Sequence, residues 1–436
     1  MARIPEQRTE TVFDDYKAPY TKDQAIAEAN RCLFCEDAPC ITACPTAIDI
    51  PQFIRKISTD NVRGSAKTIF DSNILGMSCA RVCPVEVLCV GSCVYNEKGL
   101  PPIQIGKLQR YSTDRAYEAG WSYYEAGVDT GKSVGLVGAG PASLACAHEL
   151  RRLGHAVTLY EKRDVIGGLN VTGVAPYKMK SDRGEDEVEW LMSIGGIEVK
   201  TGVAIGSDMS VEELEAAHHA VFLGMGLGPD RLFDLPGADL AGIEGAVDWI
   251  ERMKLTQLDL SDVRHVAILG GGNTAMDAVR EALDLGFESV TMVYRGTEAK
   301  MSGYAHEWSA AKQKMARAAW QSQPTGFVGE DGKVSGIVCT RLDDNKQPID
   351  GTEFTVPADL VLVAIGQSKL GDLFADVDGI EVQWGRITVD EDGCTGRTGW
   401  FAGGDAANGG KEVVNAAAEG KRAAHAIHAY LGGLDA

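Results

Sequence analysis

Long apolar segments are missing from this chain of 436 residues. No stretch approaches the roughly eighteen uninterrupted apolar residues that a membrane-spanning helix requires, and the charged start does not resemble a signal peptide. We therefore expect a cytoplasmic protein with no membrane contact. Basic residues are also few, since 42 Lys and Arg stand against 62 Asp and Glu, a net charge of −20. Nucleic acids are bound by basic surfaces, and no basic stripe is visible, so we exclude nucleic acid as a partner.

Cysteine, in contrast, is concentrated in one region. Eight of the 11 cysteines fall between Cys32 and Cys93, spaced C-x2-C-x4-C-x3-C-P and then C-x3-C-x5-C-x3-C. So many thiolates would repel one another, and disulfides are rare in the cytoplasm, so we predict a bound metal. Zinc is one alternative, because any four close thiolates can hold it. The run ending at Cys44-Pro45 resembles the bacterial ferredoxin arrangement, and nucleotide-binding motifs follow it, so we favour iron–sulfur clusters.

The cysteine region is predicted to consist of short helices. Thr21 and Gln24 form a capping box before one helix, and a second helix runs from Pro51 through Ile57. Such a small helical region has little apolar core of its own. We therefore expect the clusters to hold it together.

Two glycine-rich βαβ units follow a polar connection at residues 121–132. In the first loop Gly138 permits the tight turn, and Gly140 lets the backbone approach a pyrophosphate at the helix N-terminus. Small Ser143 replaces the usual third glycine. Glu161, about twenty residues further on, is placed to bind a ribose hydroxyl, the alternative being a solvated strand end. The candidates here are Gly138, Gly140, Pro141, Ala142, Ser143, Glu161 and Lys162.

The turn at residues 167–169 and the segment 401–405 resemble flavoproteins of the glutathione-reductase type, in which the NAD(P)H domain interrupts the FAD domain. The resemblance implies that Asp405 binds the ribityl chain of FAD, the alternative being a cap or turn residue. It also implies that a helix starting near Val413 directs its N-terminal amides toward the flavin ring. The FAD candidates that it adds are Gly168, Leu169, Gly404, Asp405, Val413 and Val414.

We therefore predict an α/β protein in which an N-terminal α-helical iron–sulfur domain precedes two Rossmann-like nucleotide-binding domains, because the chain is too long for one core. The predicted boundaries are residues 1–125 for the iron–sulfur domain, 126–250 and 367–436 for the two parts of the FAD domain, and 251–366 for the NAD(P)H domain.

The second glycine loop is predicted to bind the nicotinamide dinucleotide. The strand after it ends at Tyr294-Arg295-Gly296, whereas relatives that use NADPH often carry two adjacent basic residues there to hold the 2′-phosphate. We favour NADH, with NADPH as the alternative, since Arg295 and Lys300 could still hold a phosphate. The NAD(P)H candidates are Gly270, Gly272, Asn273, Thr274, Asp277, Arg295 and Lys300.

A redox-active cysteine pair beside the flavin is also missing. The remaining thiols, Cys146, Cys339 and Cys394, are isolated in sequence, and each is predicted to be a buried small residue. Electrons should therefore leave the flavin through the clusters. FAD suits this junction because it takes two electrons as a hydride and releases them singly.

Three cysteine segments (residues 32–40, 77–84 and 88–93) and the first glycine loop (residues 137–143) resemble the N-terminal half of dihydropyrimidine dehydrogenase. The small subunit of glutamate synthase shares this architecture, and the resemblance covers essentially the whole chain. It implies one [4Fe–4S] cluster on Cys32, Cys35, Cys40 and Cys93, and a second on Cys44, Cys83, Cys89 and Gln109. Counting thiolates alone would replace Gln109 by Cys79, because thiolates bind iron better than amides. We favour Gln109 on the match of residues 103–109.

The resemblance implies an electron-input subunit of the NAD-dependent dihydropyrimidine dehydrogenase type. It would oxidise NADH at FAD and pass electrons through two clusters to a partner subunit that carries FMN and further clusters and reduces uracil or thymine. The alternative is the small subunit of glutamate synthase or of another electron-transfer complex. Residues 408–415 look more like the pyrimidine enzymes. A non-catalytic scaffold is opposed by the intact nucleotide motifs, and we predict no catalytic acid or base on this chain.

Overall fold

The computed structural model describes residues 4–433, which form 16 α-helices and 17 β-strands. The N-terminal region contains α1 Lys22–Ala29, α2 Pro39–Thr42, α3 Ile50–Ser58, α4 Val62–Ser72, α5 Gly76–Val82, α6 Val94–Glu97 and α7 Ile105–Glu118. The first nucleotide domain begins with β1 Ser133–Val137, α8 Pro141–Arg152, β2 Ala156–Glu161, α9 Leu169–Thr172, α10 Ser181–Met192, β3 Ile197–Thr201, α11 Val211–Ala217, β4 Ala220–Leu223 and β5 Leu227–Asp230.

The second nucleotide domain contains β6 Ile243–Gly245, α12 Ala246–Leu255, β7 His265–Leu269, α13 Asn273–Asp284, β8 Ser289–Tyr294, α14 Ala305–Gln313, β9 Arg317–Trp320, β10 Ser322–Glu330, β11 Lys333–Arg341, β12 Phe354–Pro357 and β13 Leu360–Val363. The chain then returns to the first domain through β14 Gln367–Lys369, β15 Val382–Gln383, β16 Arg386–Ile387, β17 Trp400–Ala402, α15 Asp405–Asn408 and α16 Val413–Gly433.

The N-terminal helices form a small core around the cysteines. The Thr21 side chain accepts from the Gln24 amide and the Gln24 side chain accepts in return, so the predicted capping box is confirmed. Phe53 and Ile54 of α3 are fully buried. They belong to one apolar cluster that also contains the thiols Cys79, Cys83, Cys89 and Cys93. The cysteine region is therefore folded around its thiols.

The first nucleotide domain is a five-stranded sheet in the order β17-β4-β1-β2-β3, with all pairs parallel. Strands β1, β2, β4 and β17 are almost entirely buried, as expected for a parallel sheet covered by helices, whereas the edge strand β3 is partly exposed. Strand β17 (Trp400–Ala402) follows the second nucleotide domain in the sequence but pairs with β4 of the first, so the second domain is inserted into the first. The predicted interruption of one nucleotide domain by the other is confirmed.

The second nucleotide domain is a parallel sheet in the order β6-β13-β7-β8-β9, with the antiparallel sheet β10-β11-β12 beside it. The boundary that we predicted between residues 250 and 251 falls inside α12 (Ala246–Leu255), and β6 pairs with β13 of the second sheet. Hydrogen bonding between β6 and β13 therefore places residues 243–250 in the second domain. The two domains are joined by the antiparallel pair β5 and β14.

Within residues 4–433, no helix combines the length and the apolar character needed to cross a membrane.

Candidate cofactor sites

The first predicted set of thiols surrounds a single cavity. Cys32, Cys35, Cys40 and Cys93 all line it, together with apolar side chains of α3 and the segment before α7. Burial raises the pKa of Cys40 to about 12, and the neighbouring thiols Cys32, Cys93 and Cys35 add to this effect. Thiols that disfavour each other's ionisation become strong ligands once a metal group supplies positive charge. The four side chains thus fit the [4Fe–4S] ligand set implied by the resemblance.

The second set of thiols is more deeply buried. Burial raises the pKa of Cys89, and Cys83 and Cys44 contribute next. The pKa of Cys83 is raised well above its usual value, first by a hydrogen bond with the Cys79 thiol and then by burial. The Lys17 ammonium donates to the Cys83 carbonyl at 3.0 Å. Because Cys83 and Cys44 both act on the pKa of Cys89, these three thiols lie close to one another.

Cys79 and Gln109 compete for the last ligand position of the second cluster. The Cys79 sulfur accepts from Asn73 Nδ2 at 3.1 Å. Gln109 is buried, and its Nε2 donates to the Gly76 carbonyl at 2.8 Å, which orients the amide on the α7 face that packs against α5. Both side chains lie at α5, the helix that ends beside Cys83, and the choice of Gln109 stays a prediction.

Zinc was the alternative metal. Within residues 4–433, no three His, Cys, Asp or Glu side chains converge closely enough to hold a single metal ion.

The first glycine loop has the shape that a pyrophosphate site requires. Gly138 has φ of +86°, and a Cβ there would lie 2.7 Å from the Met225 Cα, so only glycine fits. A Cβ on Gly168 would lie 2.8 Å from the Cα of Gly140, which caps α8. The turn before α9 therefore packs directly on the loop, whose next residues, Pro141 and Ala142, begin α8.

Glu161 is only 8% exposed, so it is not a solvated strand end. Its Oε2 accepts from the Ala139 amide at 2.9 Å, and its Oε1 accepts from the Arg163 amide at 3.0 Å. The carboxylate thus lies at the loop, where a ribose hydroxyl is expected. Ser143 Oγ is buried, and a Cβ on Gly224 would lie 2.3 Å from it, so Gly224 provides the room that the usual third glycine would have left. Lys162 is exposed, and Leu169 begins α9.

The C-terminal turn is held by a residue that the sequence did not point to. Gly404 has φ of +66°, and its amide donates to Glu419 Oε2 at 2.7 Å. Asp405 begins α15, and its Oδ1 accepts from the Lys411 amide at 3.1 Å. Burial raises the pKa of Asp405. Glu419 lies one helix away on α16, and no local motif marks it.

The start of α16 joins the flavin region to the thiols. Val414 is 2% exposed and belongs to the same apolar cluster as Cys79, Cys83, Cys89 and Cys93. Val413 packs against both this cluster and the core of the first nucleotide domain. The start of the helix that we expect to face the flavin ring therefore belongs to the same apolar cluster as the buried thiols, and α16 packs against α5, which carries Cys79.

The second glycine loop is similarly tight. The Gly270 amide donates to the Val293 carbonyl at 3.1 Å, and a Cβ on Gly270 would lie 2.3 Å from the Ala364 carbonyl oxygen. Gly272 caps α13, which begins with Asn273 and Thr274. Arg295 and Lys300 are exposed at the end of the site. These positions agree with a dinucleotide loop whose charged end is open to solvent.

Asp277 is differently placed, because its carboxylate already has two partners from the first nucleotide domain. Its Oδ1 accepts from the Tyr177 hydroxyl at 2.7 Å and pairs with Lys178 Nζ at 2.7 Å. Lys178 also pairs with Glu307 Oε1 of α14 at 2.7 Å. Asp277 therefore joins the two domains, and its predicted contact with the nucleotide stays a prediction.

Sequence reasoning missed two loops that shape the second site. The segment 364–366 follows β13 and lies against Gly270. Its only feature visible in the sequence was the glycine at position 366, which has φ of +106° in the structure. Segment 302–304 lies over the loop, since the Gly303 amide donates to the Gly271 carbonyl at 2.8 Å. The glycine at position 303 was its only sequence signal.

Comparisons with known proteins divide the chain in the same way, into the N-terminal cysteine region and the nucleotide-binding region. Residues 8–121 match the family described as dihydropyrimidine dehydrogenase domain II, 4Fe-4S cluster, and residues 132–420 match the pyridine nucleotide-disulphide oxidoreductases. Among solved structures, Mycobacterium tuberculosis FprA in complex with NADPH has a TM-score of 0.54 at 20% identity and covers 70% of this chain and 85% of its own. The thioredoxin reductase of T. acidophilum has a TM-score of 0.54 at 19% identity and covers 68% of this chain and 98% of its own. These structural likenesses establish the fold.

Fold and site together define an NAD(P)H-dependent oxidoreductase with a [4Fe–4S] domain and an FAD- and NAD(P)-binding region. The "Glutamate synthase [NADPH] small chain" of Azospirillum brasilense is 32% identical over 98% of this chain and 94% of its own length. The "NAD-dependent dihydropyrimidine dehydrogenase subunit PreT" of Escherichia coli (strain K12) is 35% identical over 97% and 98%. The chain belongs to the pyridine nucleotide-disulphide oxidoreductase family, in the group that contains these two kinds of protein.

Proposed function

We propose that this chain is the electron-input subunit of a pyrimidine-reducing complex. It oxidises NADH and delivers electrons to a partner subunit that carries FMN and further iron–sulfur clusters and reduces uracil or thymine. The observation that carries the electron-input role is that Val414 and the buried thiols share one apolar cluster and that α16 packs on α5, because this puts the expected flavin helix beside a thiol site. The cytoplasmic location and the hetero-oligomeric state stay predictions.

The residues fit the cofactors that this role needs. FAD would accept a hydride and release electrons singly, and each [4Fe–4S] cluster would carry one electron at a time. Gly138 and Gly140 would leave backbone open to the FAD pyrophosphate. The Glu161 carboxylate, beside that loop, would bind a ribose hydroxyl, and Asp405 would bind the ribityl chain. Two groups of thiols, around the cavity of Cys40 and around Cys89, support two clusters.

NADH is the proposed electron donor. Arg295 is the basic side chain at the end of β8, and Gly296 follows it, so a 2′-phosphate would find one guanidinium instead of two. A Cβ on Gly296 would lie 2.7 Å from the Tyr294 ring, so a larger residue there would have to displace the ring. This supports NADH over NADPH.

Glutamate synthase provides the second candidate function. It is favoured by the similarity over nearly the full length of the Azospirillum brasilense small chain. In that case the partner would be a glutamine-hydrolysing protein. The nucleotide and cluster residues would have the same roles, and only the acceptor would differ.

The first experiment is anaerobic titration of the purified chain with NADH and, separately, NADPH, together with iron and acid-labile sulfide analysis. We expect NADH to bleach flavin and cluster absorbance, with about eight irons per chain. Failure of NADH to bleach the flavin would refute the electron-input role. Co-purification of the native partner, followed by assays with uracil and with glutamine plus 2-oxoglutarate, then separates the two acceptors.

A further inference from the structure

The segment between β8 and α14 lies directly over the second glycine loop. The Gly303 amide donates to the Gly271 carbonyl at 2.8 Å, and the Tyr304 amide donates to Asn273 Oδ1 at 3.2 Å. Asn273 is the first residue of α13, where the pyrophosphate of the nucleotide is expected. The backbone position of Tyr304 is therefore tied to the nucleotide loop.

The side chain of Tyr304 reaches the other nucleotide domain. Its hydroxyl donates to Glu412 Oε1 at 2.7 Å. Glu412 directly precedes α16, the helix whose start shares an apolar cluster with the buried thiols. The bond has a charged acceptor, and such bonds are stronger than neutral ones. Burial and Glu412 raise the pKa of Tyr304, so the hydroxyl keeps its proton at neutral pH.

A third contact extends from the same segment to the iron–sulfur domain. The Tyr304 ring stacks on His306, with ring centroids 5.6 Å apart and planes inclined by 19°. His306 Nε2 lies 3.7 Å from Glu86 Oε2, and Glu86 is located between Cys83 and Cys89. One short segment thus contacts the nucleotide loop, the flavin-facing helix and the second thiol region.

We propose that Tyr304 is a positioning residue that fixes the NAD(P)H loop relative to the start of α16, and so fixes the approach of nicotinamide to flavin. The inference rests on the NAD(P)H-to-flavin part of the proposed function and not on the identity of the final acceptor. Tyr304 acts through Asn273 on one side and through Glu412 on the other. Hydride transfer depends on close, oriented contact, so a looser junction slows it without removing any group that binds the nucleotide.

The test is Tyr304→Phe, which keeps the ring on His306 and removes only the hydroxyl. We expect the stopped-flow rate of flavin reduction at saturating NADH to fall about tenfold, as expected for the loss of one charge-assisted hydrogen bond. The dissociation constant for NADH should stay unchanged. Hydrogen–deuterium exchange of the cofactor-loaded protein without NADH, which does not depend on turnover, should become faster in segments 302–308 and 408–415 and stay unchanged in β1.

Tyr123→Phe is the matched control, since the Tyr123 hydroxyl donates to the Arg63 carbonyl at 3.2 Å, in the N-terminal helical domain. It should leave flavin reduction and exchange in both segments unchanged. Glu412→Gln retains an acceptor for Tyr304 and should cause a smaller loss, and the double variant Tyr304→Phe/Glu412→Gln should be no slower than Tyr304→Phe. Wild-type reduction rates in Tyr304→Phe, unchanged exchange, or additive losses would overturn the proposal. If wild type itself is not reduced by NADH, the proposed function fails first.

Discussion

The ligand set of the second cluster can be tested by removing Cys79 and Gln109 one at a time. Cys79 is 2% exposed, and its sulfur accepts from Asn73 Nδ2. Because we assign the ligand role to Gln109, Cys79→Ala should retain about eight irons per chain, whereas Gln109→Leu should lose the second cluster and fall toward about four. Cys89→Ala should behave like Gln109→Leu.

The stability cost of Cys79→Ala follows from the loss of its contacts with the Asn73 amide and the Cys83 thiol. The substitution leaves the buried Asn73 amide without an acceptor, which costs about 1–3 kcal/mol. At about 4 °C per kcal/mol, between the values for domains of about 100 and about 150 residues, the melting temperature should fall by several degrees. Cys79→Ser restores an acceptor oxygen for Asn73 and should recover most of this loss. Cys79→Ala is therefore expected to lower the melting temperature without lowering the iron content.

The assay is iron and acid-labile sulfide analysis of anaerobically purified variants, with electron paramagnetic resonance of the dithionite-reduced protein. Cys146→Ala is the control, because Cys146 is a fully buried thiol in α8 of the first nucleotide domain and should leave the iron content unchanged. If Cys79→Ala retains about four irons while Gln109→Leu retains about eight, the ligand is Cys79 and the assignment by resemblance is wrong.

Three other variants test separate parts of the protein. Burial raises the pKa of Glu187 from 4.5 to about 7. Between these pH values the folded state binds more protons than the unfolded state, so the free energy of unfolding falls by about 3 kcal/mol as the pH rises. The variant Glu187→Gln should not show this loss. Its denaturant midpoint should therefore diverge from that of the wild type between about pH 5 and pH 8. Arg295→Gln should lower kcat/KM for NADPH about tenfold and leave NADH kinetics unchanged, a prediction refuted if both fall equally. Glu161→Ala leaves the Ala139 amide unpaired and should lower the FAD content, measured by flavin absorbance per chain.

Local features of the fold could be predicted from the sequence because their causes are local. The capping box of Thr21, the two glycine loops and the helix after Glu412 depend on residues within a few positions of one another. The domain boundary could not be predicted, because residues 243–245 join the second sheet by pairing with β13, more than a hundred residues away. Periodicity carries no information about such a partner.

In the candidate site, too, local features could be predicted from the sequence and long-range contacts could not. The thiols and the glycines could be recognised because each set has a spacing that reflects the group it is expected to bind. Glu419 and Tyr304 were not, because each acts through a single hydrogen bond to a distant backbone or side chain. Asp277 was visible as a loop residue, but its partners Tyr177 and Lys178 could be identified only in the folded protein.

Glu187 connects the first nucleotide domain to the iron–sulfur domain. This buried carboxylate of α10 accepts from the amides of Met77 and Ser78 at 3.1 Å each and from the Ser78 hydroxyl. It thereby caps α5, the helix that carries Cys79 and ends beside Cys83, with a side chain from the first nucleotide domain. Movement of α5 away from α10 would remove all three donors from this carboxyl group. The first nucleotide domain therefore stabilises α5 directly, and these hydrogen bonds fix the position of α5 relative to that domain.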